Sequence, residues 1–240
     1  MSSFKARKYC IVNGDDFGAS SGITRGILEA HTSGILTSTS LMINMPAARE
    51  AIELGAEHPG LSIGLHVNFT NEGSPVIDLD DPEAAREELD RQYGLFIELA
   101  GRAPSHIDTH HNIHRNPLLE PVFVAFAARH DALLREHSPI RYYSGFYGQW
   151  DDGESHPEHI SPGQLMAMLE TEVRPGFTEF ACHPGYAADY ESTYSVEREV
   201  ELESLCDPAV RHRLADLEIE LINFHDAREL LRTHQRTESP

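Results

Sequence analysis

The stretch Tyr9-Cys-Ile-Val-Asn-Gly-Asp-Asp-Phe-Gly18 runs from apolar residues straight into two adjacent carboxylates. Tyr9–Asn13 is short and β-rich, as a buried strand is. Gly14 and Gly18 are expected to let the chain turn sharply behind it. Chemistry in parallel α/β folds gathers where strands end, so Asp15 and Asp16 stand where an active site belongs. Working outward, the same kind of run recurs at Ser38–Ile43, Leu61–Val67, His106–Thr109, Ile140–Tyr143, Phe177–Cys182 and Glu220–Phe224. Between the runs lie segments of helical period: Gly22–Ser33, Ala47–His58, Pro82–Ala100, Leu118–Asp131, Pro162–Val173, Val196–Leu205 and Pro208–Asp216. Ser161-Pro162 and Asp207-Pro208 read as helix starts, a capping residue followed by proline in the first turn.

Strand–helix alternation repeated about seven times predicts an α/β chain with a mostly parallel sheet, either a barrel or a doubly wound layer. No repeat, low-complexity segment or linker interrupts it. One domain over residues 1–240 is therefore expected, with a core from about 9 to 224 and a C-terminal helix and tail over 225–240. Two longer irregular stretches, Thr70–Asp81 and Ser144–Ile160, have the length of lids or binding loops.

Composition narrows the function. A chain of 240 residues with 40% hydrophobic content buries a sizeable core without disulfides. No run approaches the ~20 apolar residues of a membrane helix, and the polar start Met1–Lys8 gives no signal peptide, so a cytoplasmic location is expected. Acidic residues outnumber basic ones 39 to 19, a formal charge of -20. That field repels phosphate backbones and anionic lipid, which argues against nucleic-acid and membrane partners and for neutral or cationic small molecules. Cys10, Cys182 and Cys206 fit neither a disulfide framework nor a zinc knuckle. The 15 histidines are the anomaly.

Their placement matters more than their number. Just past the predicted strands come Asp15-Asp16, Asn44, His66 with Asn68, Asp108-Thr109-His110-His111 with His114, His183, and His225-Asp226. These are metal ligands and acid–base groups recurring on one predicted rim. Four histidines and an aspartate within His106–His114 could supply nitrogen ligands and a carboxylate to orient them. His183 follows a strand directly and is fixed by Pro184-Gly185. His225-Asp226 reads as structural. A phosphate loop and a Gly-x-Gly-x-x-Gly turn are both missing, so nucleotide chemistry falls behind.

Taken together, Val12-Asn-Gly-Asp-Asp-Phe-Gly18, Gly34-Ile-Leu-Thr-Ser-Thr-Ser40, Gly64-Leu-His-Val67, His106-Ile-Asp-Thr-His-His111 and Cys182-His-Pro-Gly-Tyr186 resemble the YdjC-like carbohydrate deacetylases (the ChbG/HpnK family). The resemblance runs from Tyr9 to about Phe224. It implies a distorted (β/α) barrel, a divalent metal and hydrolysis of N-acetyl groups on amino sugars. It further implies metal ligation by His66 and His110, with a carboxylate from the Asp15-Asp16 pair.

A consistent mechanism assigns Asp16, His66 and His110 to the metal, Asp15 as general base, His183 as the acid for the departing amine, and Asp108 as orienter of a histidine. The two aspartates could exchange roles. One carboxylate and two imidazoles suit zinc or another transition metal better than magnesium, which stays an alternative. The residues leave two rivals: a metal-dependent phosphoesterase or other amidohydrolase, and a non-catalytic sugar- or metal-binding barrel. The natural sugar is not legible, and a homodimer is the default assembly.

Overall fold

The computed structural model describes residues 7–150 and 153–238. Seven strands, β1 (Lys8–Phe17), β2 (Ser38–Leu41), β3 (Ser62–Val67), β4 (Ile107–Thr109), β5 (Arg141–Tyr143), β6 (Gly176–Cys182) and β7 (Ile219–Leu221), form one parallel sheet. Its order is β4-β3-β2-β1-β6-β5, with β7 beside the first residues of β1. The sheet curls into a distorted barrel, and every strand carries its carboxyl end to one rim. The helices are α1 (Ser21–Thr32), α2 (Ala48–Gly55), α3 (Pro82–Ala100), α4 (Glu120–His130), α5 (Pro162–Glu172), α6 (Val196–Cys206), α7 (Pro208–Asp216) and α8 (Phe224–Glu238). Among the described residues, no helix is long and apolar enough to cross a membrane.

Strand alternation decides what fills the barrel. On β1, Cys10 and Val12 face the helices and join the main core, whereas Tyr9 and Ile11 belong to a second cluster with Ile140, Phe177, Ile222 and Phe224. Asn13 and Asp15 continue that inner row upward. On β3, Ile63, Leu65 and Val67 pack outward into the main core, which leaves Gly64 and His66 inside. Gly64 makes room for the buried His106 ring, which stacks on Phe224 at 3.7 Å. The interior is thus apolar at its base, where α8 contributes Phe224 and Ala227, and polar at its mouth.

One expectation needs correction. Gly14 does not turn the chain: it pairs with both Thr39 and Cys182 inside β1. The strand runs four residues past Asn13, and its register against β2 shifts between Gly14 and Phe17. The reversal is carried by Asp16 at φ 69° and Gly18 at φ 80°. Such a bulge re-aims side chains.

α1 contributes through what it lacks. Gly22 and Gly26 lie four apart on one helix face, and a Cβ on Gly26 would stand 2.5 Å from the Gly185 Cα. The missing side chains let α1 pack backbone-to-backbone on the turn that follows β6, the turn that holds His183. Gly26→Ala should therefore lower the melting temperature and impair the site, although alanine is worth about 0.5–1 kcal/mol more than glycine in a helix interior. Gly94 in α3 has no heavy atom near where a Cβ would lie. Gly94→Ala should raise the melting temperature instead. Equal shifts in the two variants, read by calorimetry, would refute the close-packing argument.

Candidate active site

In a regular strand neighbouring side chains point to opposite faces. The bulge in β1 breaks that rule and turns both Asp15 and Asp16 into the barrel mouth, where each meets a different cation. Arg135, on the loop before β5, donates to both Asp15 oxygens at 2.8 Å. The same guanidinium reaches Asp108 at 2.7 Å and Glu179 at 2.8 Å. Asn13 also donates to Asp15, at 2.8 Å. Asp16 instead takes Arg198 of α6 on its Oδ2 at 2.6 Å.

Asp16 Oδ1 then faces two imidazoles: His66 Nε2 and His110 Nδ1 both stand 3.2 Å away. Neither approach makes a hydrogen bond, so this buried oxygen lacks a donor. The far side of His66 is fixed, since its Nδ1 lies 2.7 Å from Asp108 Oδ1. His110 Nε2 faces Glu72 at 3.4 Å.

Asp16, His66 and His110 offer one ligand atom each within 4.8 Å of one another. Donors of a tetrahedral site with arms of about 2.0–2.1 Å stand about 3.3 Å apart. The spacing and the orphaned oxygen both fit a single divalent cation. A carboxylate behind a ligand histidine, as Asp108 stands behind His66, fixes the ring and its tautomer. Glu72, His110 and His111 form a second, more exposed set that shares His110.

Electrostatics separate the two aspartates further. Burial would raise Asp15, but the charge and hydrogen bonds of Arg135, together with the nearby His66, hold the carboxyl below its ordinary range. Asp16 is also buried, and Arg198 holds it well below that range. Burial works against a charged His66, yet Asp108 raises it to about 10 when no cation is present. His183 behaves differently: burial lowers it to about 4, so it is neutral at ordinary pH. Its Nε2 lies 3.9 Å from Asp15 Oδ2, and its backbone N–H donates to Glu201. Burial lifts Glu179 to about 7 and Glu201 to about 8.

These groups open onto a cavity of about 690 Å³ whose walls include Asp15, Asp16, His66, His110 and His183. That volume suits a small organic ligand, for which ~300–1,000 Å³ is usual. Both long loops contribute, through Glu72 and through Tyr147, Gln149 and Trp150. Of the remaining rim histidines, His111 lines the cavity beside Thr70 at 2.9 Å. His114 is buried between Thr109 and Glu136. His225 sits at the start of α8, away from the cavity walls.

The residues missed from sequence are the charged ones that hold the site. Glu179 carried a usable signal: an acid at an inward position of the apolar run Phe177–Cys182 demands a partner. Arg198 and Glu201 did not, because Val196–Cys206 reads as an ordinary charged surface helix. Arg135 lies in a loop with nothing local to mark it.

Residues 9–216 match the family model described as YdjC-like protein. A carbohydrate deacetylase of Geobacillus stearothermophilus is 33% identical, the match covering 91% of this chain and 98% of the relative. A chitooligosaccharide deacetylase of Serratia marcescens is 32% identical over 91% of this chain and 99% of its own. Among solved structures, an Enterococcus faecalis V583 protein named for cellobiose-phosphate cleavage superposes with a TM-score of 0.80 at 26% identity, covering 92% and 98% of the two chains. The peptidoglycan deacetylase PdaC of Bacillus subtilis shares the fold at a TM-score of 0.55 and 13% identity, covering 97% and 95%. With a bulged aspartate pair, two facing imidazoles and a family match spanning most of its length, this chain belongs to the YdjC-like protein family.

Proposed function

We propose that the protein is a metal-dependent carbohydrate deacetylase that hydrolyses the N-acetyl group of an amino sugar. The observation that carries this reading is the split between the two aspartates. Asp16 presents an oxygen without a donor to His66 and His110, whereas Asp15 stands beside them with its own arginine and with His183 3.9 Å away. The names of the Geobacillus and Serratia relatives support the sugar substrate and the deacetylation.

Asp16, His66 and His110 would hold one divalent cation, zinc or another transition metal on ligand type. Such a cation polarises the acetyl carbonyl and makes water more acidic. The protein's own groups then manage the protons. Asp15, ionised and oriented by Arg135 and Asn13, accepts a proton from the attacking water. A carboxylate held that low by Arg135 is a poor resting place for it. His183 Nε2 is close enough to receive it after a small side-chain movement, since catalytic contacts often tighten only when substrate is present. Negative charge growing on the acetyl oxygen raises the proton affinity of the His183 ring. The imidazolium then protonates the departing nitrogen, releasing acetate and the free amine. Arg198 keeps Asp16 ionised throughout, and Arg135 returns Asp15 to its ionised form once the proton has moved to His183.

Acetate release from a panel of N-acetylated sugars, with chelator and metal add-back, tests the reading. Activity should disappear with chelation and return with about one metal ion per chain. Activity indifferent to chelator would sink it. His66→Ala and His110→Ala should each lose bound metal and turnover together, measured by elemental analysis and acetate assay.

Asp15→Asn and His183→Gln should behave differently. Metal content is expected to stay near that of the parent, while kcat falls by about 10²–10⁴-fold. A His183→Gln enzyme with undiminished kcat would remove His183 from the proton path.

A further inference from the structure

The Ser144–Ile160 loop carries an aromatic surface that the deacetylation mechanism does not use. Trp150, the only tryptophan in the chain, is 57% exposed and lines the same cavity as Asp16 and His183. Its indole stacks on His156 at 3.7 Å, and His159 meets it edge-on. Tyr147, three residues earlier, is 38% exposed and also lines the cavity. That ring stacks on Tyr194 at 4.4 Å and stands 5.6 Å from the His183 ring. Two exposed aromatics therefore share the cavity wall with the catalytic groups, Tyr147 beside the His183 ring and Trp150 three residues further along the chain. Three residues of chain separate them by at most ~11 Å.

The loop is built to hold the indole still. Residues 148–150 and 153–156 pair as the two arms of a small hairpin: Gln149 bridges Ser155, Trp150 N donates to the Glu154 carbonyl at 3.2 Å, and His156 N donates to the Gly148 carbonyl at 2.7 Å. The hairpin is tied to the opposite wall. Gly148 N donates to the Tyr194 hydroxyl at 2.8 Å, and Gln149 donates to the Thr193 carbonyl at 2.7 Å and to Glu197 at 3.1 Å. A large apolar side chain fixed in place and still left in water is pre-organised for a ligand, because little freedom is lost on binding.

A pyranose ring has what such a surface takes. Its C–H face is apolar and weakly positive, and the face of an indole is electron-rich. We infer that Trp150 is a stacking platform for the sugar next to the one being deacetylated. The enzyme then acts on chains of at least two pyranose units and discriminates against the free monosaccharide. This specificity-determining role rests on the deacetylase reading above and adds to it the residue that selects for substrate length.

The single tryptophan makes binding directly visible. Di-N-acetylchitobiose should give a saturable change in intrinsic fluorescence, and N-acetylglucosamine at the same concentration should not. Acetate-release kinetics on both sugars supply the second arm. Parent enzyme should prefer the disaccharide in kcat/KM. Trp150→Ala should erase most of that preference, roughly tenfold or more and chiefly through KM, as truncating an aromatic anchor does. Trp150→Phe should restore most of it.

A disaccharide preference that survives Trp150→Ala overturns the platform and leaves the deacetylase reading standing. Acetate from neither sugar counts against the deacetylase reading, and fluorescence still decides the platform. Saturation by the disaccharide supports it, and a flat titration, or an equal response to both sugars, overturns it.

Discussion

Two buried arginines acting on one bulged strand underlie the rest of the site. Taking a carboxylate out of water costs several kcal/mol unless a partner compensates it. Asp15, Asp16 and Asp108 all lie in the barrel mouth, buried almost completely. Arg135 compensates Asp15 and Asp108, and Arg198 compensates Asp16. Because each adjacent aspartate has a separate arginine, they differ in kind. Arg135 grips Asp15 by both oxygens, while Arg198 takes only Oδ2 of Asp16 and leaves Oδ1 for the imidazoles. Sequence alone could not tell which aspartate turns an oxygen without a donor to the imidazoles; the arginines set it.

The same logic explains the architecture around the pair. A barrel filled by every second strand residue can be apolar at its base and charged at its mouth without changing its backbone. Tyr9 and Ile11 close the bottom with Phe224 from α8, and two steps higher on the same face stand Asn13 and Asp15. His183 reaches this mouth from β6 on a turn against which α1 packs through Gly22 and Gly26. The long loops between strands supply the aromatic walls.

Most of the fold was legible because short β-rich runs alternate with segments of clear helical period. Pro82–Ala100 and Pro208–Asp216 begin and end where proline and the periodic pattern place them. The rim was legible too, since His66, His110 and His183 directly follow or end apolar runs. What escaped was long-range electrostatics. Arg135 meets Asp15 across 120 residues and Arg198 meets Asp16 across 182, distances over which no local pattern operates. The turn expected at Gly14 failed for a related reason. Gly14 looks like a turn residue in isolation, yet strand pairing on both sides holds it extended and passes the left-handed backbone to Asp16.

In the proposed site Asp16, not Asp15, presents its oxygen with His66 and His110 to a single divalent cation. Anomalous diffraction from crystals of the zinc-loaded protein tests this most directly. One strong peak is expected within about 2.0–2.2 Å of Asp16 Oδ1 and of both imidazole nitrogens, with Asp15 still gripped by Arg135. A peak ligated by Asp15, or one confined to Glu72, His110 and His111, would contradict it.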